Sequence, residues 1–250
     1  MIVLKDVNKF FGKKHVLKHI DLTIETGETL AIIGGSGSGK TTLLKLLIGL
    51  EKPTDGEIWI DDQNISELDD DEFDKVKLNM GMVFQYSALF DSLTVADNVA
   101  FGLREHTDKS EAEIARIVEA KLEQVGLPGV GGMMPGELSG GMKKRVGLAR
   151  AIAFDPKILF YDEPSSGLDP VTTEKIDELI IETQKRMGVT SIVVTHDMTS
   201  ACYVADRIAM LYQGELIAVE PTDRFRRLKD ERVKAFLREM HIEEEKTDVK

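Results

Sequence analysis

"TLAIIGGSGSGKTTLLKLLIGL", residues 29–50, is the stretch on which the fold turns. Thr29 to Ile33 form a short apolar run bounded by a glycine turn, the pattern of a buried strand. Gly34, Gly35, Ser36, Gly37, Ser38 and Gly39 follow, and Lys40, Thr41 and Thr42 open a run of helical composition. The spacing fits G-x-x-x-x-G-K-[ST] at Gly34, Gly39, Lys40 and Thr41. Glycines let such a loop curl so that successive N–H groups point inward at phosphate oxygens. Lys40 then brings positive charge to the β- and γ-phosphates of a nucleotide, and the Thr41 hydroxyl is offered to Mg²⁺. A flexible glycine-serine linker would explain the composition but not the strand before it or the helix after it. The helix is expected to begin near Lys40 and to run towards Pro53.

Upstream, "MIVLKDV" and "HIDLTIETGETLAII" alternate apolar and polar residues, with turn signals at Gly12 and at Thr26-Gly27. They read as antiparallel strands leading into the buried one. Downstream, "GEIWIDD" and "MGMVFQ" read as two more strands. Residues 86–153 change character and are expected to form an inserted helical subdomain. There Ser110 and Glu113 make a capping-box pattern, Ile114, Ile117, Val118, Leu122 and Val125 keep one apolar face, and Gly126 stands where a C-terminal cap belongs. After Asp155-Pro156 strands and helices alternate again, and a hairpin is expected to turn at Gln213-Gly214. An amphipathic segment, "DRFRRLKDERVKAFLREM", closes the expected domain, residues 1–240, ahead of a charged tail at 241–250. Alternating strands and helices imply an α/β fold with a mainly parallel sheet covered on both faces.

The formal net charge of -12 argues against a general nucleic-acid binder, which needs a basic face for phosphates, so no nucleic-acid partner is expected. Cys202 is the single cysteine, which excludes an intrachain disulfide and a cysteine-rich metal site and fits a reducing setting. The first residues do not read as a signal peptide, and no apolar run reaches the roughly 18 residues that span a bilayer. Any service to a membrane is expected to pass through a partner.

"ILFYDE" places Asp162 and Glu163 at the C-terminal end of an apolar strand, where open parallel sheets bind ligands. A Mg²⁺-nucleotide site uses one carboxylate near the metal and a second to orient or deprotonate the attacking water. Asp162 suits the first role and Glu163 the second. A solvated acidic strand end is the plain alternative for the pair alone. Its combination with the phosphate loop favours catalysis.

Taken together these residues resemble the nucleotide-binding subunits of ATP-binding cassette (ABC) transporters. The resemblance covers about residues 2–225, and its motifs follow in family order. "LSGGM" (138–142) resembles the signature sequence, "FQ" at Gln85 the Q-loop, "SGLD" (166–169) the D-loop, and "VTHD" the switch histidine, His196. Phe11 stands where the family has an aromatic that stacks on adenine. The resemblance implies an ABC ATPase fold, a P-loop core with an N-terminal antiparallel β-subdomain and an inserted helical subdomain. It implies ATP and Mg²⁺, with Gln85 touching the metal and the attacking water and His196 reaching the γ-phosphate.

The resemblance further implies a head-to-tail homodimer, in which Ser139, Gly140 and Gly141 meet the γ-phosphate held by the second copy and Asp169 belongs to the D-loop. Met142 replaces the usual Gln there. Lys143, Lys144 and Arg145 are expected to form a solvated or ion-paired flank. Residues 84–107 and the signature region are similar to the ATPases of Mla-type phospholipid transport systems. That likeness implies a permease subunit, an MCE-domain lipid-binding protein, a possible STAS-domain protein, and a place on the cytoplasmic face of the inner membrane. An ATPase of a polar amino-acid importer is the first alternative. A soluble ABC ATPase acting on DNA or the ribosome is the second.

Overall fold

The structure, a computed structural model, describes residues 1–239, so the tail expected at 241–250 lies outside the described residues. The chain begins with β1 (Ile2–Phe11), β2 (Lys14–Ile24), β3 (Thr29–Ile33), α1 (Lys40–Leu47), β4 (Asp55–Ile60) and β5 (Gln63–Asn64). It continues through α2 (Asp70–Lys77), β6 (Met80–Val83), α3 (Val95–His106), α4 (Glu111–Gln124), α5 (Gly140–Ala151), β7 (Ile158–Asp162), α6 (Pro170–Met187) and β8 (Thr190–Val194). The described part ends with α7 (Met198–Val204), β9 (Arg207–Tyr212), β10 (Glu215–Pro221), α8 (Thr222–Phe225) and α9 (Glu231–Glu239). It divides into two compact units, Met1–Leu68 with the chain from Val193 onward, and Asp69–Ile192. The fold is α/β, with parallel and antiparallel pairings both present.

In the discontinuous unit, β1 pairs antiparallel with β2 on one side and β4 on the other. Ile2, Leu4 and Val7 are buried, but the alternation slips between Leu4 and Val7 at a bulge where Asp6 takes a positive φ of 48°. Gly56 fits against that bulge because a Cβ there would lie 2.3 Å from the Asp6 carbonyl oxygen. Behind this sheet β3 pairs parallel with β9, and β10 adds antiparallel to β9 through a turn with Gln213 and Gly214 both at positive φ. The five residues of β3 are all buried. Phe225, Val233, Phe236 and Leu237 join Ala31, Ile33, Ile208 and Met210 in one apolar cluster. The amphipathic C-terminal segment therefore packs on its own unit through α9.

In the contiguous unit, β6 pairs parallel with β7, and α3, α4 and α5 pack on one another. Ser110 and Glu113 close the capping box of α4, whose buried face carries Ile114, Val118 and Leu122. Gly126 ends that helix at φ 69°. Gly81 on β6 admits α5, since a Cβ would lie 2.4 Å from the Ala151 carbonyl oxygen. Arg104 ties α3 to α4, its Nη1 reaching Asp97 at 2.8 Å and its Nη2 reaching Glu111 at 2.9 Å.

Helix α1 stops at Leu47, short of Pro53. Gly49 at φ 71° turns the chain, and Leu50 N donates to the Lys45 carbonyl at 2.9 Å. Among the described residues no helix is long and apolar enough to cross a membrane.

Candidate functional site

In the discontinuous unit, β3 delivers the chain into the glycine loop. Gly34 sits at φ 153°, and a Cβ there would lie 2.2 Å from the Leu211 carbonyl oxygen. Gly37 and Gly39 also take positive φ, and a Cβ on Gly39 would come within 2.8 Å of Leu17 Cδ2. Glycine is thus required by space at 34 and favoured by conformation at 37 and 39. Ser38 N donates to the Gly35 carbonyl at 3.2 Å and the Gly214 N–H to the Ser38 carbonyl at 3.0 Å, which closes the loop. Lys40 folds over it, its Nζ donating to Gly34 O at 2.6 Å and Gly35 O at 3.2 Å.

Helix α1 starts on Gly39 with no side-chain cap and no acidic residue in its first turn. Gly35, Ser36, Gly37 and Thr41 are exposed and Thr42 half-buried, whereas the buried Ser38 hydroxyl has no hydrogen-bond partner among the described residues. Three glycines at positive φ, an uncapped helix start and a resident ammonium fit a polyphosphate. Phe11 ends β1 at 46% exposure, its ring 5.0 Å from Lys9 Nζ, while the adjacent Phe10 already stacks on His15 at 3.9 Å. His196 is exposed between β8 and α7, where Thr195 N binds the Ile32 carbonyl at 3.2 Å and Asp197 caps α7.

The contiguous unit gathers the other residues. Asp162 is the last residue of β7, and Glu163 follows in the left-handed region at φ 47°. Gln85 Nε2 donates to Ser166 Oγ at 3.3 Å. Ser139 is exposed and caps α5 by accepting from Met142 N at 3.3 Å. Gly140 is exposed beside it, but Gly141 is buried, and a Cβ on it would lie 2.7 Å from Thr172 Cγ2. Asp169 caps α6, accepting from Thr172 N at 3.1 Å and Thr172 Oγ1 at 2.6 Å. Those hydrogen bonds hold its carboxyl below the usual carboxylate range.

One expectation fails here. Lys144 does not belong to a solvated flank: it is buried, and its Nζ donates to the Gln85 carbonyl and, at 3.3 Å, to the Glu163 carbonyl. Burial pulls its pKa down, and the nearby Asp162 and Glu163 partly pull it back. Lys143 and Arg145 are half-buried, and Arg145 Nη1 donates to the Val125 carbonyl at 3.4 Å. The signal was in the spacing: Gly141, Lys144, Leu148 and Ala151 recur at helical intervals and lie on the buried part of α5. Arg150, another residue the sequence reading passed over, donates to the Ser87 and Ala88 carbonyls at 2.7 Å each.

Comparison with known proteins places this geometry in context. Residues 17–166 match the family description "ABC transporter". The chain is similar to the probable ribonucleotide transport ATP-binding protein mkl of Mycobacterium leprae, at 43% identity over 89% of this chain. It spans 64% of the length of that relative. It is similar to the intermembrane phospholipid transport system ATP-binding protein MlaF of Haemophilus influenzae, at 42% identity over 95% of this chain and 90% of the relative. The methionine import ATP-binding protein MetN of Clostridioides difficile is 41% identical over 89% of this chain and 69% of that protein. Among solved structures, the dimeric post-hydrolysis state of the ATP-binding cassette MJ0796 bound to ADP and Pi aligns with a TM-score of 0.81. That alignment has 37% identity and covers 89% of this chain and 99% of that one.

Proposed function

The chain belongs to the ABC transporter family, and from that membership we propose that it is the ATP-hydrolysing subunit of a phospholipid-trafficking transporter. The observation that carries the ATPase reading is the phosphate loop. Gly34 leaves no room for a Cβ, Gly34, Gly37 and Gly39 all take positive φ, and Lys40 lies across the loop. The likeness to a phospholipid-transport ATPase over nine-tenths of that relative's length supports the choice of cargo. The same line of evidence gives the methionine importer as second reading, over a smaller share of its relative. An acidic chain of net charge -12 gives a DNA- or ribosome-acting ATPase no such support.

In this reading residues 1–240 form one ATPase domain with a helical subdomain at about 86–153. Residues Gly34 to Thr42 bind the ATP phosphates, Lys40 neutralises charge on the β- and γ-phosphates, and Phe11 stacks on adenine. Thr41, Gln85 and Asp162 are the residues that would hold Mg²⁺, whose charge offsets that of the phosphate oxygens. Glu163 takes the proton of the attacking water, Gln85 orients that water, and His196 contacts the γ-phosphate. Two copies pack head to tail, so that Ser139, Gly140, Gly141 and Asp169 of each face the nucleotide held by the other. Closing and reopening of the dimer then does work on a permease.

Tyr86, 85% exposed, and the exposed Phe84, Phe90 and Phe101, the last two with ring centroids 4.8 Å apart, offer apolar side chains to that permease. The assembly would sit on the cytoplasmic face of the inner membrane with an MCE-domain protein and, as in some such systems, a STAS-domain protein. Co-purification with the products of neighbouring genes, followed by lipid mass spectrometry and ATPase assays, tests the reading. Bound phospholipid and a lipid-responsive ATPase rate are expected. A lipid-free complex whose rate ignores added lipid overturns the cargo assignment.

A further inference from the structure

Of the three basic residues that follow Met142, Lys144 is the one the structure buries, at 6% exposure. A buried ammonium is costly unless its protons are taken up, and here two backbone carbonyls accept them, those of Gln85 and Glu163. Both belong to backbone that needs holding. Glu163 lies at φ 47°, a region that penalises a side chain with a Cβ, and its carbonyl also accepts from Ser166 N at 3.2 Å. On the other side, Ser87 and Ala88 sit at φ 60° and 45° just after Gln85. Arg150 takes both of their carbonyls, and a Cβ on Gly147 would only touch Ser87, at 3.5 Å. Helix α5 therefore grips the turn after Gln85 along its length, and at Lys144 the same grip extends to Glu163.

We propose that Lys144 is a positioning residue for ATP hydrolysis, its ammonium fixing the backbone of Glu163 and that of Gln85 to one point. This rests on the roles given above to Glu163 and Gln85. A methionine at 144 fills similar space but leaves the Gln85 carbonyl without its buried donor and removes a donor from the Glu163 carbonyl. An arginine keeps the charge and offers a fork of donors.

The test compares ATPase kinetics and thermal unfolding of the full-length chain with Lys40→Ala, Lys144→Met, Lys144→Gln and Lys144→Arg. Small displacements of reacting groups cost on the order of 10- to 100-fold in rate. We therefore expect Lys144→Met to lower kcat by about that factor, with the KM for ATP within about twofold, and Lys144→Arg to recover most of the loss. Parental kcat in Lys144→Met overturns the proposal, as does a folded variant whose loss lies in KM alone. If Lys144→Met does not fold, the Gln and Arg variants decide: a reduced kcat for Gln beside a near-parental Arg upholds the proposal, and equal values for the two overturn it. Lys40→Ala separates the levels. Activity surviving in Lys40→Ala removes the ATPase reading and this proposal with it, whereas an inactive Lys40→Ala beside a parental Lys144→Met removes only the proposal.

Discussion

Two glycine-serine stretches of this chain each run into the start of a helix, and they solve different problems. At residues 34–39 the glycines are dictated by backbone, with positive φ at Gly34, Gly37 and Gly39 and no room for a Cβ at 34. The helix that follows is uncapped, and a lysine lies across the loop. At residues 139–141 the backbone is ordinary helix start: Ser139 caps α5, and Gly141 is small because Thr172 of α6 presses on it. The first stretch is a loop whose shape is set by its backbone, and the proposed function makes it the phosphate cradle. The second is a packed, self-capped corner that leaves Ser139 and Gly140 outward. Like composition therefore does not imply like chemistry, and substitution separates the two.

The largest effect is expected from Gly34→Ala. A methyl 2.2 Å from the Leu211 carbonyl oxygen, at a φ that side chains avoid, has to displace either the loop or β9. Nucleotide binding measured by calorimetry should be lost and thermal unfolding lowered. Undiminished ATP binding in this variant would falsify the cradle.

Next comes Ser139→Arg. If the corner faces a nucleotide held by a second copy, the variant should bind ATP as the parent does yet fail to dimerise with it, as read by light scattering. ATP-driven dimerisation at the parental level removes the trans role.

The smallest effect sharpens the contrast. Gly141→Ala drives a methyl to 2.7 Å from Thr172 Cγ2, an overpacking worth roughly 1–3 kcal/mol. Adding Thr172→Ser removes that methyl and keeps the hydroxyl that binds Asp169. The double variant should regain most of the lost stability in denaturant unfolding. A loss that persists in the double variant would show that backbone, not packing, demands the glycine.

Much of this was legible before any coordinates. The β3–loop–α1 unit, the Ser110 capping box, the Gly126 stop and the Gln213-Gly214 hairpin all depend on local chemistry, which a sequence displays directly. Lys144 was misjudged because two further basic residues flank it and the cluster suggested water. Its burial accompanies that of Gly141, Val146, Gly147, Leu148, Ala149 and Ala151, so that α5 is covered on most sides, and that is a fact of tertiary packing. Helix α1 ends at Leu47, short of Pro53, because Gly49 at φ 71° already turns the chain. Helix α2 was missed although Asp69 and Glu72 spell out its capping box. The partners of each site residue depend on which elements meet, and no local pattern encodes that.

The pairing of β3 with β9 joins Leu30 to Arg207, while the whole of Asp69–Ile192 is contiguous between them. On the ribosome the inserted unit is therefore complete in sequence before the strand that completes the earlier one has been made. Until then the strand leading into the phosphate loop waits without β9 at its side and without the apolar cover of Phe225, Phe236 and Leu237. An inserted unit that folds first also shortens the loop to be closed, lowering the entropic cost of bringing β3 and β9 together. In the order of synthesis, the loop that follows β3 is made early and is among the last parts to be finished.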